Sequence, residues 1–325
     1  MQLVINTYGS YIRKRGECFE IKMDDRKEEV SARKVQSILI TTGALISSDA
    51  ILLAHENNID VIFLDKYGNP FSRIWHSKFG STAFIRRRQL ECSESIEGLQ
   101  TAISWIVTKI ENQIELLNRL KKTRESKKEK IQEYVESMSQ RRDNLLGLKG
   151  ENISEVRDEI FSNEAIAGKL YFQIVSYLLP EKYQFSGRSK RPAKDHFNAF
   201  LNYGYGILYS KVEKACIIAG LDPFIGFLHT DNYNKKSLVF DIIELFRYHV
   251  DEVVIKLFSK RMVKQDMCRE IKNGLTLEKQ GKELLIHEFN KEMENAIRYS
   301  GRNIKKKNTI QFECHKIANN LIGEK

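Results

Sequence analysis

Two kinds of hydrophobic spacing divide the chain. Up to about residue 75, apolar positions alternate with polar ones or form short runs, the period-two signature of strands. Residues 3–8 predict a strand ended by Gly9. Residues 11–15 turn at Gly16-Glu17 into a clearly alternating strand over 18–22, and 35–41 predict another, closed by Gly43. Ser47, Ser48 and Asp49 supply N-cap chemistry for a short helix through Ala50, Leu53 and Ala54. Residues 60–64 read as a strand, 65–70 as a turn and 71–75 as a returning strand. From Ser81 the period changes to that of helices. Ile103, Ile106, Val107, Ile110, Ile114 and Leu117 form one stripe over 99–120. Residues 155–178 predict a helix ended before Pro180, and 182–192 a polar loop. Asp195 then caps a helix running to Ala219 and stopped at Gly220, with Pro223 beyond. Ser237 is expected to cap a helix over 238–258, and a last helical region ends in the basic segment 302–307. The pattern predicts an α+β multidomain chain: a β-rich N-terminal domain over 1–80, followed by an all-α domain over 81–325.

Composition narrows the class. A chain of 325 residues with 42% hydrophobic and 30% charged side chains has material for two cores and is not a disordered polymer. No apolar run approaches the roughly 18–20 residues that span a bilayer, and the N-terminus lacks a signal-peptide layout. The expected location is cytoplasmic, with no membrane partner. Of the net charge of +10, +9 lies beyond residue 80, which favours phosphate-rich partners for the helical part. Residues 119–149 carry ten basic and five acidic side chains, a solvated helix face or a DNA contact. The five cysteines form no CxxC pair, which excludes a zinc ribbon and leaves reduced thiols.

Four side chains with chemical potential are embedded in apolar sequence. Glu164 sits beside the small residues Ala167 and Gly168 and near Tyr171. Its plain role is a salt bridge to Lys169 or another base; its sharper one is metal ligation. His229 follows the apolar run 224–228. Asp241 and Glu244 lie three apart on the Ser237 helix, where Asp241 could instead simply favour the helix dipole. Together Glu164, His229 and Glu244 offer oxygen, nitrogen and oxygen ligands suited to Mn²⁺ or Mg²⁺. On a basic helical domain such a centre implies phosphoryl transfer on nucleic acid.

Four stretches also carry a family resemblance. Glu164 with Ala167, Tyr171 and Phe172 is the first. The second is Arg191-Pro192 followed by Asp195, Asn198-Ala199, Leu201 and Gly204-Tyr205. Gly220-Leu221-Asp222-Pro223 with Gly226 and His229 is the third, and Ser237-Leu238 with Asp241, Glu244, Phe246 and Arg247 the fourth. In order and spacing they resemble the CRISPR-associated adaptation integrases, the DNA endonucleases of spacer acquisition. The resemblance implies that the N-terminal domain mediates a homodimer and that the helical domain is catalytic. It implies Glu164, His229 and Glu244 as metal ligands, with Asp241 as a supporting acid. The DNA substrates would be a protospacer duplex and the CRISPR repeat, joined by transesterification from each protospacer 3′-hydroxyl. A small dimeric ferredoxin-like adaptation partner would complete a larger complex. Arg188, Lys190, Arg191, Lys235, Lys236 and Arg247 are the expected phosphate contacts, and Tyr171 is expected to orient a ligand or DNA.

Departures from the family pattern are few. Lys169 stands where arginine is frequent, Asn163 where glycine is common, and the loop 231–236 is poorer in arginine than usual. None removes a ligand. Two other readings remain: a non-catalytic DNA-binding scaffold, and a repair nuclease acting on branched DNA.

Overall fold

The computed structural model describes the chain except residues 24–25, 36, 58, 67, 69, 75–82, 191, 230–234, 300 and 324–325. Its first part is two four-stranded sheets and one helix. Strands β1 (Gln2–Ile5), β2 (Tyr11–Arg15), β3 (Cys18–Met23), β4 (Arg26–Ser31), β5 (Ser37–Ile40) and β6 (Leu45–Ile46) precede helix α1 (Ser48–Glu56). Strands β7 (Asp60–Leu64) and β8 (Pro70–Ile74) follow it. One sheet has the order β4-β3-β2-β6. The other, β1-β5-β7-β8, is parallel across its first three strands and antiparallel at the last. The expected cap on α1 is present: the Ser47 hydroxyl accepts from the Ala50 amide at 3.2 Å. Strand β4 escaped the sequence reading because its Arg-Lys-Glu-Glu start has no apolar alternation; it is an exposed edge. Strand β6 is too short to show a period.

The parallel sheet is a wall between two cores, and period two decides which side chain faces which. Leu3, Ile5, Ile38, Ile40 and Val61 join Ile12, Phe19, Ile21 and Leu53 in the N-terminal core. Their neighbours Leu39, Ile62 and Leu64 enter the helical core. Arg73 on β8 fastens the wall to the helices. It donates to the Ser210 carbonyl at 2.6 Å and lies 3.3 Å from both Asp60 and Glu213. Burial pushes the Asp60 carboxyl up to about 6, against the pull of Arg73.

The helical part begins with α2 (Ala83–Ser93) and α3 (Ile96–Lys121), then α4 (Lys128–Leu146) and α5 (Ile153–Leu178). Helix α6 (His196–Ile218) is buried on most of its circumference, and α7 (Ser237–Ile243), α8 (Arg247–Ser259), α9 (Lys279–Met293) and α10 (Lys306–Ile322) follow. The predicted stripe of α3 is buried at Ile106, Val107, Ile110, Ile114 and Leu117. Asp195 caps α6, accepting from the Asn198 amide at 2.7 Å.

Three expectations are corrected. The region beyond residue 80 is predominantly helical but not all-α. It holds two antiparallel hairpins, β9 (Cys268–Ile271) with β10 (Gly274–Leu277), and β11 (Ala296–Tyr299) with β12 (Arg302–Lys305). The basic segment 302–307 is therefore a strand and the first turn of α10. The helix expected over 238–258 breaks at Glu244–Phe246, where 3.2–3.3 Å and 2.9 Å bonds from residues 244–246 reach back three residues to Asp241, Ile242 and Ile243. Finally, Ser237 is not a cap: Lys236 holds that position without a side-chain bond, and Ser237 is buried.

Helices α6 and α8 cross closely at Gly204, where an added Cβ would stand 2.4 Å from Val250 Cγ1. A β-branched, fully buried valine has little freedom to yield. Gly204→Ala is expected to lower unfolding free energy by about 1–3 kcal/mol through overpacking. Combining it with Val250→Ala should cost less than the sum of the two single changes; additive losses in denaturant unfolding would show that the helices part freely.

Candidate active site

The turn carrying His229 is assembled by two buried polar side chains. Gln89 of α2 holds its start, donating to the carbonyls of Asp222 at 2.9 Å and Ile225 at 2.7 Å while accepting from the Asp222 amide at 2.9 Å. Asp241 of α7 holds its end. Its carboxylate accepts from the backbone amides of Phe227 (2.6 Å), Leu228 (3.1 Å) and His229 (3.1 Å), and lies 2.6 Å from His229 Nδ1. These four contacts use the carboxylate's accepting capacity. Asp241 therefore orients His229 and does more than complement a helix dipole. Gly226 permits the approach, since a Cβ there would lie 2.6 Å from Ser237 Cβ and 2.9 Å from the His229 carbonyl.

With Nδ1–H given to Asp241, the neutral ring carries its lone pair on Nε2. Burial works against the charged imidazolium, but the Asp241 hydrogen bond and the nearby charges of Asp241, Glu244 and Glu164 outweigh it. The His229 pKa is raised. Phe161 of α5 meets the ring edge-on at 5.6 Å, one helical turn before Glu164.

Glu164 and Glu244 converge on a residue the sequence reading missed, Lys109 of α3. Its ammonium pairs with Glu164 Oε1 and lies 2.7 Å from Glu244 Oε2. Burial alone would discharge this lysine; Glu244 and Glu164 instead hold its pKa above the ordinary value. Arg247 lies 2.8 Å from the other Glu244 oxygen. Against the burial of its own carboxylate, Arg247 and Lys109 keep Glu244 well below the usual carboxylate range. The helix break places Glu244 here, at the end of α7 and one turn before Arg247 of α8. A signal for Lys109 was present: it lies four residues from both Trp105 and Gln113, on the buried side of α3.

Behind this cluster Asp251 accepts from Tyr205 at 2.5 Å and Tyr171 at 3.1 Å. Burial pushes Asp251 up to about 6, partly offset by the two hydroxyls. Arg247 stacks over the Tyr205 ring at 4.5 Å, so the tyrosine couples the two layers.

The expected DNA contacts divide. Lys190 and Lys235 are exposed. Lys236 is half-buried and paired with Glu213, and Arg191 lies outside the described residues. One assignment is corrected, and two residues have partners within the chain. Tyr171 is fully buried and cannot meet DNA. Arg188 is held by Asn198 and by Asn202, the latter at 2.8 Å, and Arg247 is committed to Glu244 and Tyr205. The basic stretch 119–149 forms the α3–α4 hairpin, and many of its cations are engaged: Lys121 with Gln132, Lys127 with the Tyr177 carbonyl, Lys128 with Glu125 and Arg119 with Glu252.

Among the described residues no three His, Cys, Asp or Glu side chains lie close enough together to hold a metal ion. The donor chemistry nonetheless suits a hard divalent cation. Two carboxylates already share one positive group, Glu244 Oε2 is buried without a well-aligned hydrogen-bond donor, and the imidazole nearby is held in a ligating tautomer. Among the described residues no helix is long and apolar enough to cross a membrane.

The class is that of the CRISPR-associated adaptation proteins, whose strand-rich start and predominantly helical body this chain shares. The family model described as CRISPR associated protein Cas1 matches residues 3–291, and the chain belongs to that family of adaptation endonucleases and integrases. It is 34% identical over 337 residues to CRISPR-associated endonuclease Cas1 1 of Archaeoglobus fulgidus, covering 100% of this chain and 97% of that protein. A casposase bound to integration product shares the fold with a TM-score of 0.85 at 23% identity, covering 100% of this chain and 91% of that one. A chain of a Cas6-RT-Cas1–Cas2 complex does so with a TM-score of 0.82 at 20% identity, over 99% of this chain and 35% of that one. The family relationship supports a DNA-cutting or DNA-integrating role in CRISPR adaptation.

Because the folded pKa of His229 is raised, the protonated ring contributes stability that is complete below its unfolded value near 6.5. That contribution fades as pH rises through the folded value. Asp241→Asn should lower the His229 pKa, read by NMR titration of the imidazole in metal-free protein, and weaken this pH dependence. An unchanged titration would remove Asp241 from its orienting role.

Proposed function

We propose that this protein is a metal-dependent DNA integrase and endonuclease that inserts protospacer DNA into a CRISPR array. The observation that carries the reading is the convergence of Glu164 and Glu244 on one buried cation, beside a histidine oriented by Asp241. Glu164, His229 and Glu244 would hold Mg²⁺ or Mn²⁺, which supplies Lewis acidity toward a phosphate oxygen and a deprotonated hydroxyl. The protospacer 3′-hydroxyl forms a new P–O bond with the repeat phosphodiester. The P–O bond to the repeat's own 3′-oxygen breaks, and the proton lost by the attacking hydroxyl is balanced by one gained at the leaving oxygen.

The chain's own groups prepare this exchange. Asp241 fixes the His229 ring and leaves Nε2 as its ligating atom. A ligating ring must be neutral, so the raised pKa of His229 moves cation loading toward higher pH. Arg247 keeps Glu244 ionised, and Tyr205 and Asp251 hold Arg247 from behind. Lys109 supplies the positive charge that the two glutamates share. Lys190 and Lys235 are exposed to approach phosphates. The N-terminal domain over 1–80 would mediate a homodimer, and likeness to a chain of a Cas6-RT-Cas1–Cas2 complex supports a ferredoxin-like Cas2-type partner.

The test is strand transfer of a labelled protospacer into a repeat-bearing plasmid, with the small partner present and Mn²⁺ or EDTA. Wild type should join DNA only with metal, and Glu164→Ala and His229→Ala should fall to background while remaining folded and DNA-bound. Joining by both variants would sink the proposed centre. Cutting of branched DNA without joining would keep the centre and replace the substrate.

Lys109 allows a readout apart from turnover. Lys109→Met removes the cation that buried Glu244 and half-buried Glu164 share, while Arg247 still meets Glu244, and metal-free protein should lose about 1–3 kcal/mol. Millimolar Mn²⁺ should raise the melting temperature of Lys109→Met more than that of wild type, since the ion no longer competes with an ammonium. Equal shifts would place the ion elsewhere.

A further inference from the structure

A second basic site lies on elements that the candidate centre does not use. At the carboxyl ends of the parallel strands β1, β5 and β7, Asn6, Thr41, Thr42 and Lys66 form one wall of an open cleft of about 170 Å³. Arg269 of β9, Thr276 of β10, and Lys279 and Lys282 of α9 form the other. Its size suits a phosphate-scale group, and the carboxyl edge of a parallel sheet is a habitual place for a phosphate-bearing ligand.

The charge in the cleft is unbalanced. Among the described residues Glu278 is the one acid lining it, with Asp65 acting on Lys282 from nearby, and Arg269 lies 2.9 Å from the Glu278 carboxylate. Glu283 nearby is occupied by Asn6, which donates to it at 2.8 Å. Lys279 donates to the Thr7 hydroxyl at 3.2 Å, a neutral partner. Lys282 is half-buried and, among the described residues, has no carboxylate at ion-pair distance; its ammonium lies 5.7 Å from the Tyr203 ring centre. Burial, with Arg269 adding to it and Glu278 and Asp65 opposing, lowers its pKa. Thr276 spends its hydroxyl proton on the Lys66 carbonyl at 2.8 Å and Thr41 on the Ile5 carbonyl at 3.2 Å. The first of these bonds joins the two walls, and both fix the hydroxyls at the cleft.

We propose that this cleft binds a phosphate group, with Lys279 and Lys282 as its principal cations. The phosphate belongs either to a nucleic-acid strand or to a free nucleotide. Two ammonium groups and a guanidinium around a hydroxyl-lined cleft match a dianion better than a carboxylate or a neutral ligand.

The experiment is calorimetric titration of the full chain in EDTA with inorganic phosphate, ATP and a short 5′-phosphorylated single strand. Wild type and Glu164→Gln should bind alike, which separates this site from the integrase reading. Lys279→Gln/Lys282→Gln should weaken binding at least about tenfold with an unchanged melting temperature. If that pair unfolds the protein, the exposed Arg269→Gln gives the same comparison with a smaller loss. Tighter binding of the strand, with a salt slope that falls in the double variant, assigns the site to nucleic acid; ATP binding as tightly assigns it to a free nucleotide. Failure of all three probes to bind wild type, or equal binding by the folded variants, overturns the proposal.

Discussion

Everything at the candidate centre turns on the ammonium of Lys109 lying between two carboxylates, Glu244 buried and Glu164 half-buried. Ionised glutamates removed from water are costly unless a positive group meets them. Lys109 meets both Glu164 and Glu244, and Arg247 takes the remaining Glu244 oxygen. Four helices are committed by this contact. Helix α3 brings the lysine, α5 brings Glu164, and the break between α7 and α8 brings Glu244 and Arg247. A place already built for one charged cation is chemically near to a place for another.

The break matters as much as the charge. A continuous helix would have set Glu244 on the same rigid face as Asp241. Instead the chain tightens to three-residue bonds at Glu244–Phe246, and the two acids acquire different neighbours. Asp241 turns to the amides and ring of the His229 turn, Glu244 to Lys109 and Arg247. Two carboxylates three residues apart thus hold different duties, one positioning a histidine and one facing the cation. Gly226 and Gln89 allow the turn to come close enough for the first of these.

The two parts of the chain are mechanically joined through one sheet. Alternate residues of β5 and β7 serve opposite cores, so the N-terminal sheet is a wall of the helical body as well as of its own. Arg73 adds a polar fastening from β8 to α6, and Glu213 passes it on to Lys236 at the entry of α7. A disturbance in the β-rich part therefore has a short physical route to the elements that carry His229 and Glu244.

Local order was legible without a structure. The alternation of β2, β3 and β7, the Ser47 and Asp195 caps and the stripe of α3 follow from neighbours within a few residues, because capping and periodic burial are local physics. The four ordered motifs likewise identified the family and the side chains of the candidate centre. What required the fold were relations across distance. Charged β4 is a strand only because β3 pairs with it. Glycine-bounded hairpins β9–β10 and β11–β12 interrupt a sequence that otherwise reads as helical. Tyr171 and Arg188 resemble DNA contacts until burial and the partners Asp251, Asn198 and Asn202 appear. Lys109 stands 55 residues before Glu164, and no local pattern links them. Local chemistry selected which residues have the capacity to react; only tertiary packing decided which of them share one desolvated space, because the cost of burying charge depends on what the rest of the chain brings to meet it.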